Sequence, residues 1–204
     1  MNIIFNRVIG HNFLSISDCD LSLSNNGYVI VDGKNNYIPD LAKSNGSGKS
    51  SIFEMLVWAL TGETVRGIKS TNIININGLD GTFVDLYVTI NGEKWRLLRS
   101  KDHKDYKTNF RIWKNGEELS GKGIKDSERI FREYFPDLTL SLIGSVMILG
   151  QGLPQRFSNN TPSGRKEVLE KLSKSDFMID DLKVRVRSRL DQLVVEIRKV
   201  EDEA

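Results

Sequence analysis

The stretch Ser44-Asn45-Gly46-Ser47-Gly48-Lys49-Ser50-Ser51 decides the fold. It is rich in glycine, ends in Gly-Lys-Ser and runs directly into an apolar segment at residues 52–60. Four residues of that segment recur at helical spacing: Ile52, Met55, Leu56 and Ala59. Upstream, the apolar, β-branched run Tyr28-Val29-Ile30-Val31 predicts a buried strand. A strand, a glycine-rich loop and a helix in this order are the context in which a Gly-Lys-Ser sequence binds phosphate.

The residue types of the loop suit phosphate chemistry. Gly46 and Gly48 lack a Cβ, so the backbone can aim its N–H groups at one point. That point lies at the N-terminus of the next helix, where the helix dipole favours an anion. We expect Lys49 to contact the β- and γ-phosphates, the Ser50 hydroxyl to bind Mg²⁺ and the Ser51 hydroxyl to bond the α-phosphate.

The loop departs from the general pattern at one position. That pattern has a glycine five residues before Gly48, where this chain has Lys43. The nearest earlier glycine is Gly33, so residues 34–42 are predicted to form an insertion between the strand and the loop. The simpler alternative is a flexible Ser/Gly loop ahead of an ordinary helix; the strand and helix on either side favour phosphate binding.

Length and composition are those of a globular protein. The chain has 204 residues, 39% hydrophobic and 27% charged, with a net charge of +2. With so small a net charge, contact with nucleic acid requires a local cluster of basic residues. The single cysteine, Cys19, excludes an internal disulfide and suits a reducing compartment. No apolar run is long enough to span a bilayer and no signal peptide opens the chain, so a cytoplasmic location is expected.

Alternating apolar and polar residues predict strands on both sides of the loop. Asn2 to Val8 and Cys19 to Ser24 alternate before it, and Phe83 to Ile90 alternates after it. Lys94 to Arg99 and Thr108 to Trp113 follow, with Asn-Gly turn sequences after residues 90 and 114. These patterns predict a β-meander appended to an α/β core.

The meander is basic, with aromatic residues between the cations. From Lys94 to Lys114 there are eight Lys or Arg residues and two acids. Such a strip binds a nucleic-acid backbone, or it is an ordinary solvated sheet surface whose aromatic residues face the core, and composition alone does not separate these alternatives. For the nucleic-acid alternative, the predicted DNA-binding residues are Lys101, Lys104, Lys107 and Arg111.

The last third of the chain is predicted to be mostly helical. Asp126 to Phe135 and Arg165 to Leu172 have helical spacing, and the apolar run Leu138 to Leu149 predicts a buried strand followed by Gly150-Gln151-Gly152. From Ile179 onward, apolar residues recur every three or four positions, which favours the start of a coiled coil over a helix packed on the core. We therefore predict an ATPase lobe over residues 1–178 and the start of a coiled coil over 179–204, the front part of a longer protein.

Four features in this order carry a resemblance to a known family. They are Asn12-Phe13-Leu14-Ser15, the loop Asn45 to Ser51, Gln151 after an apolar run, and the heptad start. Together they resemble the N-terminal lobe of SMC-like DNA-repair ATPases of the SbcC type, including bacteriophage recombination-nuclease subunits. The similarity extends through Ser51 to Arg66-Gly67, Ser145 to Gly152, and Phe157 to Leu169, and so covers nearly the whole chain.

The resemblance implies a fold class and a set of partners. The fold is α/β, a P-loop NTPase of the ABC/SMC-head type, here its N-terminal lobe with an antiparallel β-subdomain and the start of a coiled coil. In this family ATP binds between the phosphate loop of one head and the signature motif of a second. The implied partners are the C-terminal lobe of the same ATPase, a second head in a homodimer, an SbcD-type nuclease subunit and double-stranded DNA, with no membrane.

The resemblance also assigns residues. It places ATP against Asn45, Gly46, Ser47, Gly48, Lys49, Ser50 and Ser51, with Thr64 and Arg66 near the nucleotide. It makes Lys49 and Gln151 catalytic and makes Ser50 and Gln151 the Mg²⁺ ligands. The Asp-Glu strand and the signature motif that complete such a site do not follow the loop in this chain, so weak or no hydrolysis is expected from the chain alone.

Two other classes of function remain. One is a self-contained P-loop kinase-like enzyme; a GTPase is disfavoured because no Asn-Lys-x-Asp sequence is present. The other is a DNA-binding coiled-coil scaffold with a static phosphate site. Turnover by the isolated chain favours the enzyme, and DNA affinity that is equal with and without ATP favours the scaffold.

Overall fold

The computed structural model describes residues 2–24, 27–34, 46–148, 157–173 and 176–202. Contacts divide the chain into two compact units, Met1–Asn159 and Asn160–Ala204. The first unit contains the phosphate loop and a β-sheet, and the second is helical. The predicted functional boundary at residue 178 stays a prediction.

The first unit is built on one six-stranded antiparallel sheet. Its strands are β1 (Ile3–Phe13), β2 (Ile16–Ser22), β3 (Thr82–Ile90), β4 (Glu93–His103), β5 (Lys107–Lys114) and β6 (Glu117–Glu118). Their order is β2-β1-β3-β4-β5-β6. Both Asn-Gly turns have positive φ at both residues, as tight two-residue hairpins require, so the predicted meander is confirmed.

The meander is not appended to a separate core, as the sequence had suggested. Strand β3 pairs with β1 along eight register positions, so the N-terminal hairpin and the meander form a single sheet. The alternation of each strand indicated which side chains face the core, but it contained no information on which distant strand lies beside it.

One face of the sheet is covered by helices α1 (Lys49–Thr61) and α2 (Ile124–Tyr134). Helix α1 buries most of its side chains, including Met55 and Trp58, and Trp58 lies 5.3 Å from the ring of Phe13. The inner face of β3 contributes a row of fully buried side chains: Val84, Leu86, Val88 and Ile90. Packing of α1 on this row fixes the N-terminus of α1, and with it the glycine-rich loop, against the sheet.

The predicted buried strand at Tyr28–Val31 is wrong for the described structure. These four residues belong to none of its strands, and their side chains are between 39% and 92% exposed. An apolar β-branched run has the propensity of a strand, but a strand forms only where a neighbouring strand offers hydrogen bonds.

The apolar run before Gln151 is also not a strand. It forms a short helix α3 (Leu140–Leu142) and one wider helical turn (Ile143–Met147), with Ile143 buried and Val146 and Met147 exposed. A short apolar run does not distinguish a strand from a buried helical turn by periodicity alone.

The second unit consists of helices α4 (Pro162–Ser173) and α5 (Asp176–Asp202). The predicted helices are therefore confirmed. Five apolar side chains of the predicted heptad seam are between 38% and 59% exposed: Leu182, Val186, Leu190, Leu193 and Ile197. An exposed apolar stripe is the surface that a second helix covers in a coiled coil, and the coiled coil itself stays a prediction.

Candidate nucleotide site

The glycine-rich loop ends in a helix N-terminus that has no side-chain cap. Gly48 is the N-cap of α1 with φ of 85° and ψ of 2°, and Gly46 also has a positive φ, 77°. Gly48 has no side chain with which to cap the helix, and the first turn contains no acidic residue. The backbone N–H groups and the positive end of the helix dipole at this terminus suit an anion such as a phosphate.

Lys49 and Ser50 lie where the sequence predicts them. The Lys49 Nζ is 3.3 Å from the Ser47 Oγ, so the ammonium lies over the loop and not in the core. Ser50 is exposed in the first turn of α1. A phosphate at the helix N-terminus would therefore lie close to the Lys49 ammonium and the Ser50 hydroxyl.

Gly33 packs directly against the loop from the preceding segment. A Cβ built on Gly33 would lie 1.9 Å from the Ser47 Oγ, 2.8 Å from the Ser47 Cβ and 3.2 Å from the Lys49 Cγ. No side chain fits there without displacing the loop. A glycine that precedes the predicted insertion thus packs on the loop.

The turn between β1 and β2 forms a wall of the loop. The Ser15 Oγ lies 2.8 Å from the Ser51 Oγ, and a Cβ on Gly48 would come within 3.3 Å of the Ser15 Oγ. The Asn12-Phe13-Leu14-Ser15 segment is therefore adjacent to the phosphate loop. Ser51 is buried, and its predicted bond to an α-phosphate stays a prediction because the hydroxyl already has Ser15 as a partner.

The buried Glu54 carboxylate of α1 accepts hydrogen bonds from the segment that follows the helix. Glu54 Oε2 accepts the Val65 N–H at 2.8 Å, and Oε1 accepts the Arg66 N–H at 3.3 Å and lies 3.5 Å from the Arg66 Nε. Burial raises the pKa of the Glu54 carboxyl above its usual value, and the bonds to Val65 and Arg66 oppose that rise in part. Thr64 is buried, and its hydroxyl accepts the Ile68 N–H at 2.7 Å.

Thr64 and Arg66, the two residues predicted to lie near the nucleotide, differ in exposure. The Thr64 hydroxyl closes a turn inside the protein, whereas the Arg66 side chain is 44% exposed. Contact of either residue with a nucleotide stays a prediction. Asn45 and Gln151 lie outside the described residues, so their roles also stay predictions.

A metal ion at this site would be bound by the Ser50 hydroxyl and by the phosphates of the nucleotide. No group of three or more His, Cys, Asp or Glu side chains able to hold a metal ion is found in the described ranges. A magnesium ion bound with a nucleotide takes its ligands mainly from phosphates and water and needs only one or two from the protein. The exposed Ser50 oxygen fits that requirement.

The predicted DNA-binding residues lie on β4, on β5 and in the turn between them, where much of the positive charge is paired. Arg111 bonds Glu118 at 2.8 Å, Lys101 lies 3.7 Å from Asp102, and the Lys107 Nζ donates to the Lys104 carbonyl. Of the eight cations counted in the meander, five have a carboxylate partner: Arg96, Arg99, Lys101, Arg111 and Lys114. Most of these acids lie outside the counted window, which is why the sequence strip seemed more basic than the folded surface.

Some aromatic residues of the meander face the core, as in an ordinary sheet surface, and others are accessible, as nucleic-acid binding would require. Trp95 and Phe110 are buried in the core, as an ordinary sheet surface predicts. Tyr106 is 39% exposed, and the Arg96 and Arg111 guanidinium groups lie 4.6 and 4.9 Å from the Trp113 ring centre on the other face. DNA binding by Lys101, Lys104, Lys107 and Arg111 stays a prediction.

Three residues next to the loop were missed from the sequence: Ser15, Gly33 and Glu54. The first two are distant in sequence from the residues they touch, so no local pattern reveals them. Glu54 did have a signal, because it is a carboxylate inside the apolar run Ile52-Phe53-Glu54-Met55-Leu56. A buried acid in such a run needs partners.

Comparison with known proteins gives one family match. The sequence model of the AAA domain family matches residues 7–204, nearly the whole chain. In the described residues, no helix is long and apolar enough to cross a membrane.

Two curated phage proteins are similar to this chain. "Exonuclease subunit 2" of Escherichia phage RB69 is 26% identical over 170 residues, which cover 80% of this chain and 27% of that protein. The protein of the same name from Enterobacteria phage T4 is 25% identical over 172 residues, 82% of this chain and 28% of that protein. The chain thus spans just over a quarter of the length of these relatives.

Two solved structures of the recombination mediator protein RecF are also similar. The structure described as RecF-ATP has a TM-score of 0.38 and 18% identity, covering 59% of this chain and 30% of that one. The structure described as RecF-ATPrS has a TM-score of 0.39 and 16% identity, covering 58% and 28%.

Proposed function

The chain belongs to the AAA domain family of SMC-like ATPases, and we propose from this premise that it is the ATP-binding N-terminal lobe of an SbcC-type DNA-repair ATPase. In this proposal two heads dimerise on ATP and regulate an associated SbcD-type nuclease on double-stranded DNA. The similarity to phage proteins named exonuclease subunit 2 supports a partnership with a nuclease.

The observation that carries the proposal is the uncapped N-terminus of α1. The N-cap is Gly48 in the left-handed conformation, no side chain caps the helix, and Lys49 and Ser50 stand in its first turn. The positive end of the helix dipole and the Lys49 ammonium both favour a polyphosphate there. Helix α2 also starts at a glycine, Gly123, but in an extended conformation and without a Lys-Ser pair after it, so the combination of left-handed Gly48 with Lys49 and Ser50 is what favours phosphate at α1.

The mechanism of the proposed site follows from these residues. Backbone N–H groups of Gly48 to Ser50 hold the phosphates, and Lys49 offsets the charge that develops on the γ-phosphate. The Ser50 hydroxyl would hold Mg²⁺, which when bound would supply Lewis-acid polarisation of the phosphate oxygens. Gln151 is assigned the Mg²⁺ and attacking-water contacts.

The exposed Tyr28–Val31 segment supports the need for a second lobe. Four apolar side chains stand in solvent immediately before Gly33, which touches the phosphate loop. Covering a large apolar side chain contributes about 1.5–3 kcal/mol, so this segment alone provides a large part of a lobe interface. An apolar surface of the C-terminal lobe is the partner we assign to it, since covering these side chains removes apolar area from water.

The test is ATP hydrolysis by the chain joined to, or co-expressed with, its natural C-terminal lobe. The wild-type assembly should hydrolyse ATP, and Lys49→Ala should reduce kcat by at least about 100-fold. Lys125→Ala is the matched control because Lys125 is an exposed lysine of α2, on another helix, and its activity should equal wild type. Wild-type turnover by Lys49→Ala would refute the proposal.

Two further measurements separate the alternative functions. Full turnover by the isolated 204-residue chain would favour a self-contained kinase-like enzyme. DNA affinity that is equal with and without ATP across a salt series would favour the static scaffold.

A further inference from the structure

Glu54 is a buried carboxylate that the proposed chemistry does not use. It lies in the middle of α1, only 4% of its side chain is exposed, and both of its oxygens have partners on the segment that follows the helix. Burying a carboxylate is costly unless its oxygens are bonded. A neutral apolar residue would suit the core better, so its presence calls for a reason beyond packing.

The position of Glu54 on α1 relates it to the phosphate loop. Residues four apart lie on the same face of a helix, so Glu54 is one turn, about 6 Å along the axis, beyond Ser50 on the same face. Side chains of a helix lean toward its N-terminus. The Glu54 carboxylate is therefore displaced toward the loop, and it brings the Arg66 backbone and guanidinium with it.

Arg66 has donors left for another anion. Its Nε is 3.5 Å from Glu54 Oε1, and its side chain is 44% exposed. In the part of the chain that the structure describes, no hydrogen bond or ion pair involves its two terminal nitrogens. A guanidinium held at Nε with its outer edge open can donate two parallel bonds to a phosphate.

We propose that Glu54 is a positioning residue: it ties the segment at residues 64–68 to the phosphate-binding helix and thereby holds Arg66 beside the bound nucleotide. This inference rests on the proposed function, because it assumes that a nucleotide phosphate lies at the N-terminus of α1. The ligand class for Arg66 is the phosphate chain of a nucleoside triphosphate.

The competing role for Glu54 is purely structural, as a cap for the backbone of Val65 and Arg66. The two roles differ in how Glu54 and Arg66 depend on each other. If Glu54 acts through Arg66, substituting Glu54 weakens ATP binding only while Arg66 is present, so the losses in the two single variants do not add in the double variant. If Glu54 only supports the fold, replacing one of its two acceptor oxygens lowers stability and leaves ATP affinity to Arg66 alone.

The test is a double-mutant cycle on the full chain with Glu54→Gln and Arg66→Ala, measuring the Kd for Mg-ATP. Arg66→Ala should weaken binding about tenfold, the effect of one charge-assisted contact. Glu54→Gln should weaken it several-fold, and the double variant should bind no more weakly than Arg66→Ala. Arg66→Lys should not restore affinity, because a lysine does not present the guanidinium fork.

Hydrogen exchange and one control variant complete the design. Glu54→Gln should speed exchange of the Val65 and Arg66 amides, whereas Glu133→Gln, on the exposed face of α2, should change neither exchange nor affinity. Wild-type ATP affinity in Glu54→Gln, or losses that simply add in the double variant, would overturn the inference. If Lys49→Ala abolishes binding while Arg66→Ala leaves it unchanged, the inference fails and the proposed function stands; unchanged binding in Lys49→Ala refutes the proposed function.

Discussion

Gly33→Ala tests whether the segment before the insertion shapes the phosphate loop. The added methyl group would lie 1.9 Å from the Ser47 Oγ and 2.8 Å from the Ser47 Cβ. Rotation of the hydroxyl relieves the first contact, but the second requires the loop backbone to move. Overpacking of this kind costs about 1–3 kcal/mol, and if it falls on the ligand-binding conformation it weakens ATP binding by roughly 5- to 150-fold.

The assay is a titration of Mg-ATP against the wild-type chain and the variant, with thermal unfolding measured in parallel. Gly123→Ala is the control, because nothing lies within 4 Å of a Cβ at that position and its φ of −169° suits any residue. Ser47→Ala in the Gly33→Ala background removes only the hydroxyl contact, which rotation already relieves, and should restore little of the affinity. Equal ATP affinity in Gly33→Ala and wild type would refute the packing argument.

Other predictions follow from the core and from the turn after α1. Trp58→Ala removes a buried indole between α1 and the sheet and should lower the free energy of unfolding by about 3–5 kcal/mol in urea, while an exposed substitution such as Lys125→Ala should not. Thr64→Val leaves the Ile68 N–H without its acceptor and should cost about 1–3 kcal/mol by the same measurement; a stability equal to wild type would contradict the assigned hydrogen bond. Because burial raises the pKa of Glu54, the folded state binds this proton more tightly than the unfolded chain does. The stability that the protonated Glu54 contributes is therefore fully present below the ordinary glutamate pKa. It is lost as the pH rises through the raised pKa of the folded state. Unfolding midpoints across the mildly acidic range should show this loss in wild type and not in Glu54→Gln; parallel profiles would contradict it.

Local signals in the sequence predicted the elements well. The Asn-Gly turns and the alternation of β3 to β5 depend on adjacent residues, so they fixed the hairpins of the meander. The same holds for α1, whose start is indicated by Gly48 and whose end by Gly62, both with positive φ. The loop between strand-like and helical segments was likewise visible from its glycines.

Pairing between distant segments was not predictable in the same way. Tyr28–Val31 has the composition of a strand, yet its hydrogen-bonding neighbours are absent from the described residues. The contacts of Gly33 with Ser47 and of Ser15 with Ser51 cross insertions or whole strands. Such contacts arise from tertiary packing and have no periodic pattern in the sequence.

Charge was the property that the sequence described least well. Counting cations from Lys94 to Lys114 omitted Asp85, Glu118 and Glu128, which pair with Arg96, Arg111 and Arg99. Adjacent strands and helices bring these acids within 3 Å, so the net charge of a folded surface depends on the sheet order. The strand order β3-β4-β5-β6 thus decides how much positive charge remains for DNA.

The most direct test of the account is an NMR titration of the chain with Mg-ATP, following the backbone amides of the glycine-rich loop. If the uncapped N-terminus of α1 binds the phosphates, the amides of Gly48, Lys49 and Ser50 should show the largest shifts, and Lys49→Ala should abolish them at the same ATP concentration. Unshifted loop amides at saturating Mg-ATP, or equal shifts in wild type and Lys49→Ala, would contradict the central claim.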